Sequence, residues 1–119
     1  VGVVVKENLI KEKSFDFALQ IVRLYQGMRD SHEYVLSKQL LRCGTSIGAN
    51  VEESSAAQSR SDFISKLSIA SKEARETRYW LRLIQKSKLV DIDLTDELAN
   101  VEELIRLLTA IVKTTGEKS

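Results

Sequence analysis

The chain has 119 residues, 43% of them hydrophobic and 29% charged, with no proline, five glycines, one cysteine and a formal charge of +1. That length makes one domain, and the shortage of turn residues argues against a loop-rich sandwich. A single cysteine excludes an internal disulfide framework and fits a reducing, cytoplasmic compartment, while no apolar run approaches the ~18 residues of a membrane span.

Residues 1–13 read as an N-terminal extension, and residues 14–116 as one domain of four helices. The first helix is predicted from Ser14 to Arg29. Ala18, Ile21, Tyr25 and Met28 recur at helical spacing, with Phe17, Val22 and Leu24 widening the stripe. Asp30 offers an N-cap for the second helix, and Glu33 stands where a capping-box partner would. That helix is predicted from Ser31 to Ala56. Its seam is Leu36, Leu40, Cys43, Ile47 and Asn50, ending on a polar residue. Gly44 and Gly48 lie one turn apart, and each lowers helix propensity by about 1 kcal/mol relative to Ala. The spacing predicts a neighbouring helix crossing close by. A phosphate-binding loop is excluded, because no Lys-Ser/Thr pair follows the glycines and no strand precedes them.

Ser59 is an N-cap, with Asp62 on the first turn. The third helix, predicted from Arg60 to Lys86, has the most regular pattern. Phe63, Leu67, Ala70, Ala74, Thr77, Leu81 and Ile84 step alternately by four and three, a seam of roughly 40 Å suited to bundle packing. The fourth helix is capped by Asp93 or Thr95 and runs to about Thr115, with Leu94, Leu98, Val101, Ile105, Leu108 and Val112 as its seam. Gly116 is a candidate C-terminal stop. Short connections make sequential helices antiparallel, so the expected fold is an all-α, up-down-up-down four-helix bundle.

Little in the chain points to catalysis. The sequence has one histidine, His32, and one cysteine, Cys43. No zinc site of ordinary spacing can be built from them, and no Glu-x-x-His pair exists for a di-iron site. Adjacent Glu52 and Glu53 point in different directions and make no acid/base pair. Cys43 sits on the apolar seam as a core residue. The expectation is a protein with no catalytic residue, metal or cofactor.

Three features rise above that background. The near-neutral total hides a segmental charge: residues 60–88 carry eight basic and three acidic groups, residues 89–119 three and seven. Within the basic segment, Lys72, Arg75, Arg78, Arg82 and Lys86 fall in one sector of about 120° on the third helix. Tyr79 lies among them, able to stack on a base or hold an arginine. This stripe is the candidate nucleic-acid-binding surface; a solvated face is the alternative. Ile69, Trp80 and Leu83 form a second apolar flank on the opposite side of the seam. It suits burial by another subunit or a wide monomer core. Asn50 is a structural polar candidate, fixing helix register or a subunit contact.

The run Gln39-Leu-Leu-Arg-Cys-Gly-Thr-Ser-Ile-Gly-Ala-Asn-Val-Glu-Glu53 resembles a bacterial four-helix-bundle family encoded in intervening sequences of 23S rRNA genes. So do Ala57-Gln-Ser-Arg-Ser-Asp-Phe63, Ile69-Ala-Ser-Lys-Glu-Ala-Arg-Glu-Thr-Arg-Tyr-Trp-Leu-Arg-Leu83 and Ser14-Phe-Asp-Phe-Ala-Leu19. The resemblance covers about residues 8–112; the Val-rich start departs from it. It implies a left-handed antiparallel bundle assembled as a ring-shaped homopentamer. It also links the chain to the accessory variability determinants of diversity-generating retroelements, basic pentamers that bind nucleic acid and a reverse transcriptase. Carried over to this chain, the helix-three cations Arg75, Arg78 and Arg82 are the best candidates for such contacts. The leading expectation is therefore a non-enzymatic, oligomeric scaffold binding RNA or DNA. The alternative is an adaptor for a protein partner such as a polymerase, without nucleic-acid contact.

Overall fold

Four amphipathic stripes can be buried together only if their helices enclose one core, and the computed structural model, which describes residues 2–117, has that arrangement. Its elements are α1 (Gly2–Asp30), α2 (Leu36–Ser54), α3 (Arg60–Ser87) and α4 (Thr95–Glu117), with no strand among the described residues. The protein is all-α, as predicted. Each helix packs on its neighbours in sequence, and α1 closes on α4. The molecule measures 48 × 21 × 18 Å, its long axis set by helices of up to 29 residues. No helix among the described residues is long and apolar enough to cross a membrane.

Cross-helix contacts fix the helix directions. Ile21 faces Gly44 and Ser14 faces Gly48, so α1 and α2 run in opposite directions. Lys66 bonds Glu53 while Arg42 bonds Glu76, which sets α2 against α3 in the same way. Arg78 meets Glu102, and the Gln85 side chain accepts from the Leu94 amide at the α3–α4 turn. Lys13 pairs with Glu103, and Asn100 donates to Gln20, between α4 and α1.

The predicted seams hold best in α3, where Leu67, Ala70, Ala74, Thr77, Leu81 and Ile84 are all buried and Phe63 is partly so. The close crossing predicted at the glycines is also present. A Cβ on Gly44 would lie 2.9 Å from both γ-carbons of Ile21, and one on Gly48 would lie 3.2 Å from the Ser14 carbonyl oxygen.

Several boundaries differ. Helix α1 begins at Gly2, not Ser14. Ile10 is 1% exposed and continues the buried series Ser14, Phe17, Ile21, Leu24 and Met28 one turn further toward the N-terminus. The bundle core therefore includes part of the segment read as an extension; Val1 lies outside the described residues. Along the same helix Ala18 and Tyr25 are only half-buried and Val22 is exposed, so the core stripe is centred one residue away from the predicted one.

Helix α2 starts at Leu36, five residues later than predicted. The cause is the way α1 ends. His32 takes a left-handed conformation (φ 65°), its amide bonds the Arg29 carbonyl and the Glu33 amide bonds that of Met28. This double bond pattern is a Schellman closure, with His32 where glycine is usual. Glu33 then caps α2. Its carboxylate accepts from the backbone amides of Val35, Leu36 and Ser37 at 3.1, 3.0 and 2.7 Å. Asp30, the expected cap, lies in the last turn of α1 instead. At the other end of the chain, α4 runs through Gly116 to Glu117 without a positive-φ glycine, so Gly116 is not a stop.

Candidate nucleic-acid interface

Helix α3 carries the face of interest, and its sequence explains its placement. Ser59, extended and just outside the helix, accepts from the Asp62 amide at 3.0 Å and starts the helix. The small side chains of Ala70, Ala74 and Thr77 turn inward, and Thr77 Oγ1 is spent on the Glu73 carbonyl of its own helix. With the inward face so committed, the long polar side chains are left outside.

Lys72, Arg75, Tyr79, Arg82 and Lys86 are exposed, as the spacing predicts. Arg78 differs. It is half-buried and donates through Nη1 to Glu102 Oε1 of α4 at 2.9 Å. Among the described residues, Lys72, Arg75, Arg82 and Lys86 make no ion pair. The stripe is therefore four available cations and one that α4 already engages. Tyr79 is 59% exposed and rests edge-on against Trp80, with ring centroids 5.2 Å apart.

Helix α4 adds cations that sequence reading missed. Arg75 lines a groove with Ser68 and Ser71 of its own helix and Thr109, Val112 and Lys113 of α4. Glu102, Thr109 and Lys113 thus mark the α3-facing side of α4. Arg106, exposed and one helical turn from Glu102, falls on that same stripe. Neither Arg106 nor Lys113 has an ion-pair partner among the described residues. The signal was visible only as a spacing on α4; without the α3–α4 register nothing joined it to α3.

The second flank of α3 leans the other way, toward α2. Trp80 is partly buried against the core, and its Nε1 donates to Glu76 Oε2 at 3.0 Å. Glu76 also accepts from Arg42 of α2, and Glu73 lies 3.6 Å from the same guanidinium. The Glu76 carboxylate, as the hydrogen-bond acceptor, holds the Arg42 pKa above its ordinary value. Ile69 and Leu83 remain 40% and 38% exposed. A second apolar ridge, not foreseen from the sequence, lies on α1: Phe15, Leu19 and Val22 are 62%, 41% and 37% exposed.

Among the described residues, Asn50 hydrogen-bonds within its own helix. Its Nδ2 donates to the carbonyl and hydroxyl oxygens of Ser46, one turn back on α2, and Val51 takes the buried position beside it. The buried series of α2 runs through Ser37, Leu40, Gly44, Ile47, Val51 and Ser54, so the seam continues from Ile47 by a step of four to Val51, not by a step of three to Asn50. Glu53 is engaged by Lys66, and exposed His32 meets the Tyr34 hydroxyl at 3.0 Å through Nδ1. Cys43 is fully buried, and burial raises its thiol pKa. Among the described residues no cluster of histidine, cysteine and carboxylate groups could hold a metal.

No curated protein matches the chain. A solved structure from Bacteroides thetaiotaomicron, described as a protein with unknown function from the S23 ribosomal protein family, is similar to it. That chain is 46% identical with a TM-score of 0.86, over 91% of this chain and 98% of its own. The family model of the 23S rRNA-intervening sequence protein matches residues 6–110, most of the bundle just described, and the chain belongs to that family.

Proposed function

We propose that this protein is a non-enzymatic, oligomeric scaffold that binds nucleic acid in the cytoplasm. The observation that carries the reading is the exposed, unpaired set Lys72, Arg75, Arg82 and Lys86 along α3. Cations held on a rigid helix and not neutralised by their own chain are suited to phosphate, and affinity grows with the number of such contacts. Tyr79 in their midst supplies a stacking surface.

Self-assembly strengthens the reading. The apolar ridge of α1 and the flank of α3 are different surfaces, and joining one to the other on the next subunit is a head-to-tail contact, the kind that forms a ring when the rotation between subunits closes. Five subunits per ring is the number we propose, as the family resemblance implies. A ring repeats the basic face around its axis and multiplies phosphate contacts.

The test is fluorescence anisotropy of a labelled rRNA fragment at about 50 and 200 mM salt, across which several phosphate contacts lose orders of magnitude in affinity. Binding that falls steeply with salt, and is lost in the Arg75→Glu, Arg82→Glu double variant, supports the proposal. Salt-independent binding, or a double variant that binds like the parent, overturns it. Light scattering of Phe15→Glu and Leu83→Glu variants tests the ring separately.

A further inference from the structure

We infer that the groove between α3 and α4 is a seat for the backbone of a single-stranded nucleic acid, with Arg75 on one wall and Lys113 on the other. The inference rests on the reading above and narrows it to one place and one kind of strand. Six side chains line the groove: Ser68, Ser71 and Arg75 from α3, and Thr109, Val112 and Lys113 from α4.

Charges on the ridge of one helix meet a phosphate from one side only, whereas charges from two helices attract it from both sides of the groove. The hydroxyls of Ser68, Ser71 and Thr109 in the same groove can donate to phosphate oxygens and place the anion in register. Two like charges facing one groove repel each other, and an anion between them reverses the sign of that term. Neither has a carboxylate to do this among the described residues, because Glu102, the acid on this stripe of α4, is held by Arg78. Arg106 and Arg82 continue the positive face beyond the two walls.

The groove's width selects the strand. The axes of packed helices lie about 8–10 Å apart, so the furrow between them is narrower than a duplex, which meets only its rims, while a single backbone can lie along it. Tyr79 stands on the ridge one turn from Arg75, exposed, where a base turned out from a single strand can stack.

The experiment measures anisotropy of fluorescein-labelled oligouridylate, oligothymidylate and a duplex RNA with the full-length protein and its Lys113→Gln, Arg82→Glu and Arg23→Gln variants. Lys113 is exposed, so its variant keeps the fold; Arg23, exposed on α1, is the charge control. The expected result is single-strand binding tighter than duplex binding. Lys113→Gln should lose about tenfold in affinity and about 0.7 of the salt slope, the value of one single-strand phosphate contact, with Arg23→Gln unchanged. Uridylate and thymidylate binding alike identifies the shared phosphodiester as the ligand; a preference for one adds sugar or base readout to the same seat. Parental affinity in Lys113→Gln while Arg82→Glu binds weakly overturns the groove and leaves the α3 surface standing. Tighter duplex binding also overturns the groove. No binding by the parent protein overturns both.

Discussion

Ile21 sits directly over Gly44, so that a Cβ there would lie 2.9 Å from its Cγ1 and Cγ2 and 3.3 Å from its Cβ. Ile21 is fully buried and branched next to its backbone, so it has no free end to swing aside. Gly44→Ala should therefore cost about 1–3 kcal/mol despite alanine's better helix propensity. Gly27 is the internal contrast. Nothing lies within 4 Å of a Cβ placed there, and Gly27→Ala should add up to about 1 kcal/mol. Urea unfolding of the two variants should give shifts of opposite sign.

The Glu33 cap makes part of the stability pH-dependent. Burial alone would raise its pKa, but the amides of Leu36, Ser37 and Val35 together hold it below 4.5. A carboxylate whose pKa is depressed by folding stabilises the protein above its unfolded pKa, and that contribution fades as pH falls through the folded value. Glu33→Ala should cost about 1 kcal/mol at neutral pH. Denaturant midpoints of parent and variant should begin to converge as the pH falls below 4.5 and meet only below the folded-state value.

Releasing Arg78 should strengthen nucleic-acid binding. Glu102→Gln removes the carboxylate that engages it at 2.9 Å. The half-exposed ion pair itself contributes under about 1 kcal/mol to stability, so the fold should survive. Affinity for labelled RNA should rise, and the salt slope should steepen by up to about one phosphate contact. The converse holds for Arg78→Gln, which should weaken binding less than Arg82→Gln.

Cys43 should be chemically silent in the native state. Burial raises its thiol pKa, and its Sγ faces the Leu40 carbonyl at 3.8 Å. Since the thiolate is the reactive form, a thiol-directed reagent should label the chain only after denaturant is added. Rapid labelling of the native protein would refute the burial.

What could be read in advance follows a physical division. The seam of α3 was legible because every core position is apolar or small and Ser59 marks its start. The first three turns of α1 were not, because Lys11, Glu12 and Lys13 interrupt the apolar series and only packing reveals that Ile10 belongs to it. Asn50 and Val51 are adjacent and lie three and four residues after Ile47, so spacing alone does not tell which of them faces inward. The α3 cations were found by spacing alone. Their inequality was not, because Arg78 differs from Arg82 only through Glu102, 24 residues further along the chain. Arg106 and Lys113 were missed for the same reason: two stripes become one surface only once the helices are in register.

The single tryptophan, Trp80, gives the molecule a built-in optical reporter. Its indole is bonded to Glu76, which α2 also grips through Arg42, while one edge meets Tyr79 on the basic side. Loosening of the α2–α3 contact removes the hydrogen bond and shifts the emission. A neighbour covering Ile69 and Leu83 would dry the ring from one side, and a base stacked on Tyr79 would quench it from the other. One intrinsic signal can thus follow folding, assembly and ligand binding in the unlabelled protein.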